Sequence, residues 1–481
     1  MKQSTTKAGK LLTSVGLIMC LLCGNALSQT RRDRLKPDFD PSKPTQVVPT
    51  PLRFTEITQD SGLNRTWGIQ NPTPGSMSEF FGGGVAAGDY DGDGDIDIYL
   101  VNGDTMPNQL FENQGNNRFV DVAARAGLNL IHKSSGPSFV DVDGDGDLDL
   151  FMGGVEGAGV RLFLNEDGVF EDITESSGLA VSVANTISAA FGDYDMDGDL
   201  DLFASHWGTP QEEDTQHLWQ NLGDGRFRSA SIEAGISAEI IQEPRGGIPG
   251  TDHLDYSFSP NFADINNDGY PDMLLTGDFA TSQVFLNNQA GGFIRVTDPA
   301  VIVDQNGMGA AVADYDNDGD LDWFVTAIFN VSRSGRVTTI GNRLYRNLGD
   351  GNFEDVTLAA GVSRGGWGWG SSFADFNNDG LLDIFHTNGW EQGGIGISNF
   401  KVDPVKLFLA QPDGTFINQA AQTKLFSNGQ GRGVVCFDSD RDGDLDILIA
   451  NNDDQGVQLY RNDAENAAHF LNIKLIGPAP N

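Results

Sequence analysis

Residues 89 to 97 read DYDGDGDID, five aspartates in nine positions. The same pattern, Asp-x-Asp/Asn-x-Asp-Gly-x-x-Asp, starts again at Asp141, Asp193, Asp264, Asp314, Asp375 and Asp438, at intervals of 52, 52, 71, 50, 61 and 63 residues. These seven windows hold 31 of the 68 acidic residues, so the acidity is local and patterned. Clustered carboxylates repel unless a cation sits between them. Calcium fits the pattern because it accepts roughly six to eight oxygens at about 2.3–2.6 Å in a tolerant geometry. Magnesium, which keeps its waters in a stricter octahedron, fits less well.

The spacing assigns ligands to positions one, three, five and nine, with Gly at six turning the chain and a backbone carbonyl near seven. The expected sets are Asp89, Asp91, Asp93 and Asp97, then Asp141, Asp143, Asp145 and Asp149, then Asp193, Asp195, Asp197 and Asp201. The fourth loop offers Asp264, Asn266, Asp268 and Asp272, and the fifth Asp314, Asp316, Asp318 and Asp322. The last two offer Asp375, Asn377, Asp379 and Asp383, and Asp438, Asp440, Asp442 and Asp446. About seven calcium ions are expected, bound more weakly where Asn266 and Asn377 replace a carboxylate. An EF-hand is excluded, since position twelve is Leu100, Met152, Ala204, Leu275, Val325, His386 and Ile449 in turn.

What must position these loops is a strand on each side. Runs such as GVAAG and SAAFG precede them, and IDIYLV, LDWFV or LDILIA follow. A second signature comes next: QLFENQGNNRFVDV at 109–122, RLFLNEDGVFEDI at 161–173 and RLYRNLGDGNFEDV at 343–356 each read as strand, Gly-rich turn, strand. One repeat therefore holds four antiparallel strands. The predicted fold is all-β: a seven-bladed β-propeller of four-stranded antiparallel blades, with a calcium loop between the first two strands of each blade. The seventh repeat stops at VQLYRND (457–463), while RFTEITQDSGL at 53–63 matches a repeat's final strand, so an N-terminal strand at 53–58 is expected to close the ring.

The loops in this strand context resemble the FG-GAP or VCBS-type repeats of integrin α-subunits and many secreted bacterial proteins, and that resemblance covers residues 52 to about 463. HFLNIKLIG at 469–477 resembles the opening of the ASPIC/UnbV module that follows such repeats in cartilage acidic protein relatives. Residues 466–481 are thus read as the start of a truncated ASPIC/UnbV-like segment, after a propeller over 52–465.

Residues 1–28 read as a secretory signal peptide: Lys2, Lys7 and Lys10 precede the apolar stretch Leu11 to Cys23, and small residues Ala26 and Ser28 follow. Residues 29–51 carry five prolines and read as a linker. Cleavage removes Cys20 and Cys23 and leaves Cys436 alone, so no internal disulfide is expected. A secreted location, extracellular or periplasmic, follows, with no membrane insertion after cleavage. The net charge of −38 argues against nucleic acid. A 39% hydrophobic content with 30 Phe argues for a sizeable core.

Alternating connections put the variable insertions on the face away from the metal loops. His206, Trp207, His253, Trp367, Trp369, His386 and Trp390 lie there and are the candidate ligand face. The expected function is a non-catalytic binding or adhesion scaffold for a protein or glycan. The alternative is a polysaccharide lyase or hydrolase using His206, His253 or His386 with Arg245. No nucleophile or phosphate-loop motif supports an enzyme, and no catalytic residue is assigned.

Overall fold

A computed structural model describes residues 52–64, 67–68, 76–210, 212–240, 254–332, 335–391 and 400–464. The expected signal, linker and C-terminal segment lie outside these residues, as do Arg245 and His253. The chain is all-β, with a few one-turn helices, and its architecture is propeller-like.

Five separate sheets have four antiparallel strands each, and an eight-stranded sheet joins two more four-stranded units. In the first unit, Gly84–Gly88 pairs with Asp97–Val101, which pairs with Gln109–Asn113, which pairs with Phe119–Asp121. The other units repeat this order. Burial grades outward. Every residue of Asp97–Val101 is buried, as is every residue of Asp149–Gly154, Asp272–Gly277 and Asp446–Asn451. These apolar second strands are covered on both faces, which explains their continuous hydrophobic runs. Outer strands such as Phe119–Asp121 bury only their Phe.

Neighbouring units share cores. Tyr99 and Leu110 of the first unit pack with Leu150 and Phe163 of the second. Equivalent clusters join every successive pair up to the seventh. Ile98, Leu100 and Phe111 of the first unit in turn pack with Leu448, Ala450 and Leu459 of the seventh. The inner strands also touch in the same cycle, with Gly84–Gly88 against both Ser134–Val140 and Gly431–Phe437.

The last sheet takes three strands from the end of the described chain and Phe54–Glu56 from its beginning. Phe54 pairs with Asn462, as Phe119 pairs with Asn113 and Phe170 with Asn165. Its ring is buried against Phe376, which stabilises the junction by about 1.5–3 kcal/mol.

Two of the connections on the face away from the acidic loops hold strands. Residues 204–210 continue the second strand of unit three, Asp201–Pro210, which pairs through Trp207↔Tyr256 and Thr209↔Asp255 with Leu254–Ala263. This run is largely buried, so sheet pairing satisfies its backbone and joins units three and four. Residues 327–342 contain the hairpin Phe329–Val331 and Val337–Ile340.

Candidate metal centre

The seven acidic loops share one local structure. Asp89 Oδ2 accepts the Gly94 N–H at 3.1 Å, and the same bond links positions six and one in every loop. The glycine at six has φ between 85° and 102° throughout. A Cβ there would meet the left-handed penalty of about 1–2 kcal/mol.

Position nine is buried and doubly held. Asp97 Oδ2 accepts the Tyr90 N–H and Oδ1 accepts the Asn113 N–H. Asp149, Asp201, Asp272, Asp322, Asp383 and Asp446 repeat this pair of bonds. Burial pushes Asp97, Asp201 and Asp383 up to about 8, Asp149, Asp322 and Asp446 to about 7, and Asp272 to about 6.

Five loops bring three carboxylates together, with one oxygen of each lying within 4.8 Å of the others. The trios are Asp89, Asp91 and Asp97; Asp141, Asp143 and Asp149; Asp193, Asp195 and Asp197; Asp314, Asp316 and Asp322; and Asp438, Asp440 and Asp442. Asp195, Asp316 and Asp440, all at position three, each keep Oδ1 buried without a hydrogen-bond partner. Burial first, and the position-five carboxylate next, raises the pKa of all three. Buried acceptors facing no donor are costly unless something positive reaches them. These trios could hold a divalent ion.

The loops with asparagine at position three differ. Asn266 Nδ2 donates to Asp268 Oδ2 and Asn377 Nδ2 to Asp379 Oδ2, each at 3.0 Å. The amide N–H thus faces the position-five carboxylate in both loops. Neither loop forms a three-carboxylate cluster among the described residues.

One recurring residue was missed in the sequence reading: the asparagine that ends the third strand. Asn221 Nδ2 donates to Leu200 O of its own loop at 3.1 Å and to Val142 O of the preceding loop at 2.8 Å. Asn113, Asn165, Asn287, Asn347 and Asn462 make the same two bonds. The sixth unit carries Ala410 instead. The signal was visible in LFEN, LFLN, LWQN and LYRN, but a latch between units cannot be read from one repeat. Side chains at position four reach onward as well. Asn267 donates to Asp320, Asn378 to Asp444, and Arg441 pairs with Asp95 at 2.8 Å across the seventh-to-first junction.

The sequence of this chain matches the FG-GAP-like repeat family at residues 89–152, 141–204, 264–325 and 328–386. The chain belongs to the FG-GAP-like repeat proteins. It is similar to cartilage acidic protein 1 of Homo sapiens, 24% identical over 418 residues, and to that of Mus musculus, 23% identical over 420 residues. The match covers 80% of this chain in both cases, but only 57% and 58% of those relatives. Among solved structures it resembles an Agrocybe aegerita lectin recognising terminal N-acetylglucosamine, at 17% identity and TM-score 0.40, over 70% of this chain and 79% of that one. It also resembles the V. cholerae biofilm matrix protein Bap1, at 11% identity and TM-score 0.39, over 86% and 92%.

At the other end of the FG-GAP-like repeats, the structure corrects the expected exposed face. His206 and His386 are fully buried. His206 meets Thr186 Oγ1 and Gln216 O, His386 meets Asn342 and Thr387 O, and burial lowers them to about 4 and about 3. Trp367 and Trp390 stack at 4.6 Å and, with Trp369, lie buried in an aromatic cluster with Phe80 and Phe400. Trp207 is half-buried, its Nε1 donating to Asp278 and its ring against Phe81. Phe80 and Phe81 belong to the short helix Met77–Phe81, which covers these rings and keeps them from solvent. Aromatic residues in insertions became core because a second layer of chain packs over them.

Proposed function

We propose that the chain is an exported, seven-bladed, calcium-braced propeller acting as a non-catalytic binding or adhesion scaffold, with its protein or glycan ligand on the face away from the metal loops. The observation that carries the metal reading is the trio of buried position-three oxygens left without donors in Asp195, Asp316 and Asp440. The closed cycle of shared cores supports seven blades in one ring. Bound calcium reverses the electrostatics of each loop, since carboxylates that repel one another become ligands. Positions one, three, five and nine supply the oxygens, and at six of the seven junctions the asparagine latch carries a loop's order to its neighbour.

The alternative, a polysaccharide-active enzyme, loses two candidate bases, because His206 and His386 are buried and hydrogen-bonded inside the fold. Direct metal counting tests the scaffold reading. Asp316→Ala is expected to reduce bound calcium by one ion per chain at low micromolar free calcium, whereas Asn266→Ala leaves that tight-site count unchanged. Equal losses from both variants, or none from either, defeat the assignment.

A further inference from the structure

The inner strands surround a channel of about 250 Å³, walled by their ends remote from the metal loops. Its lining is small and polar at Ser138, Ser188, Ser259 and Ser371, with Trp369 and Phe258 at the aromatic end. Among the described residues, one charged residue lines it: Arg432.

Arg432 Nε donates to Phe80 O at 2.8 Å, and Nη1 donates to Gly389 O and Gly431 O, each at 3.2 Å. Nη2 makes no hydrogen bond among the described residues. The guanidinium lies 4.0 Å from the centre of the Trp369 ring. No aspartate or glutamate among the described residues forms an ion pair with it; Asp453 and Glu79 act only from a distance. In a chain with 68 acidic and 30 basic residues, a desolvated cation without a carboxylate partner is unexpected. On the adjacent inner strand, Ser371 Oγ is buried in the same wall without a hydrogen-bond partner. Arg432 Nη2 and the Ser371 hydroxyl are thus both left without a partner among the described residues, on two residues that line one cavity.

We propose that this channel end binds a sugar acid, its carboxylate held by Arg432 and Ser371. The carboxylate supplies the missing counter-charge, and the planar fork of arginine is suited to it. A sugar fits the rest of the wall, because serine hydroxyls exchange hydrogen bonds with ring hydroxyls and the half-buried Val85 and Val434 offer apolar contact. Repulsion of an anion by the acidic loops is screened by distance. The acidic loops lie at the far ends of inner strands such as Gly431–Phe437, whose seven residues span roughly 20 Å at about 3.3 Å each. The proposal rests on reading the face away from the metal loops as the binding face, and it names the ligand chemistry there.

The test is calorimetry and tryptophan fluorescence on the calcium-loaded full chain with glucuronate, with glucose as its neutral counterpart, and with an amidated acetyl-aspartate as a peptide carboxylate. Saturable one-to-one binding of glucuronate is expected, at least tenfold tighter than glucose or the aspartate derivative. Arg432→Lys, which keeps the charge but loses the fork, should weaken it at least tenfold. Ser371→Ala, which leaves the Phe80 helix contact alone, should weaken it about fivefold. The proposal is overturned if glucuronate binds no better than glucose, if the aspartate derivative binds better, or if both variants bind as the parent does. Melting with and without chelator on the same samples separates the two readings: if chelation still destabilises a chain that ignores glucuronate, the calcium scaffold stands and only the sugar-acid site falls.

Discussion

Asn221→Ala removes one latch between units two and three without touching a loop carboxylate. The side chain donates to Val142 O and Leu200 O and accepts from the Gly223 N–H at 3.1 Å. Val142 O loses a buried partner, a change that costs about 1–3 kcal/mol, while the half-buried Leu200 O and the turn N–H regain water and cost about 0.5–1 kcal/mol together. The expected destabilisation is about 1.5–4 kcal/mol. Asn221→Asp should be worse, because it sets a carboxylate against two carbonyls. The sixth unit provides the reverse experiment: Ala410→Asn restores the missing latch and should stabilise by about 1 kcal/mol if the amide reaches both carbonyls. Urea unfolding in saturating calcium, followed by tryptophan fluorescence, measures all three. An Asn221→Ala variant within about 0.5 kcal/mol of the parent, or an Asn221→Asp variant more stable than Asn221→Ala, refutes the latch.

The pH dependence should invert with calcium. Without the ion, burial raises the position-nine aspartates to between about 6 and about 8, above the roughly 3.9 of an unfolded chain. The folded ion-free chain therefore holds protons that the unfolded chain releases, so stability is greater at mild acid and is lost as pH rises through those values. With calcium bound the carboxylates must be ionised, and acidification destabilises instead. Melting temperatures at pH 5.5 and 8 in chelator and in calcium should slope in opposite directions; parallel slopes contradict this. At the seventh-to-first junction, Arg441 adopts φ 63° and pairs with Asp95. Arg441→Ala loses the half-exposed pair, worth up to about 1 kcal/mol, while Arg441→Gly also relieves about 1 kcal/mol of backbone strain and should match or exceed the parent in denaturant. Phe54→Ala should cost about 3–5 kcal/mol, because its ring fills the core between units six and seven; a loss below 1 kcal/mol in the same assay would show that the closing strand contributes little.

The repeating unit was legible because its parts are local. Gly94 and its equivalents mark a turn, the aspartates mark its chemistry, and runs such as IDIYLV are buried on both faces. The seven loops and four strands per unit were therefore readable from spacing alone. Burial on the opposite face was not. Trp367, Trp369 and Trp390 looked like loop aromatics because nothing nearby in sequence announces the helix Met77–Phe81 that packs over them. The strand character of 204–210 was hidden for a similar reason, since its partner begins at Leu254. The asparagine latches were printed in the sequence six times, yet their meaning depends on a neighbouring unit.

Whether calcium braces the ring is decided by calorimetric titration of calcium into the chelator-stripped full chain, with thermal unfolding alongside. Five tight sites matching the five carboxylate trios, two weaker ones at the loops carrying Asn266 and Asn377, and a large fall in melting temperature on chelation are the expected result. No calcium uptake together with unchanged melting in chelator would contradict it, leaving the acidic loops as turns held by their own hydrogen bonds.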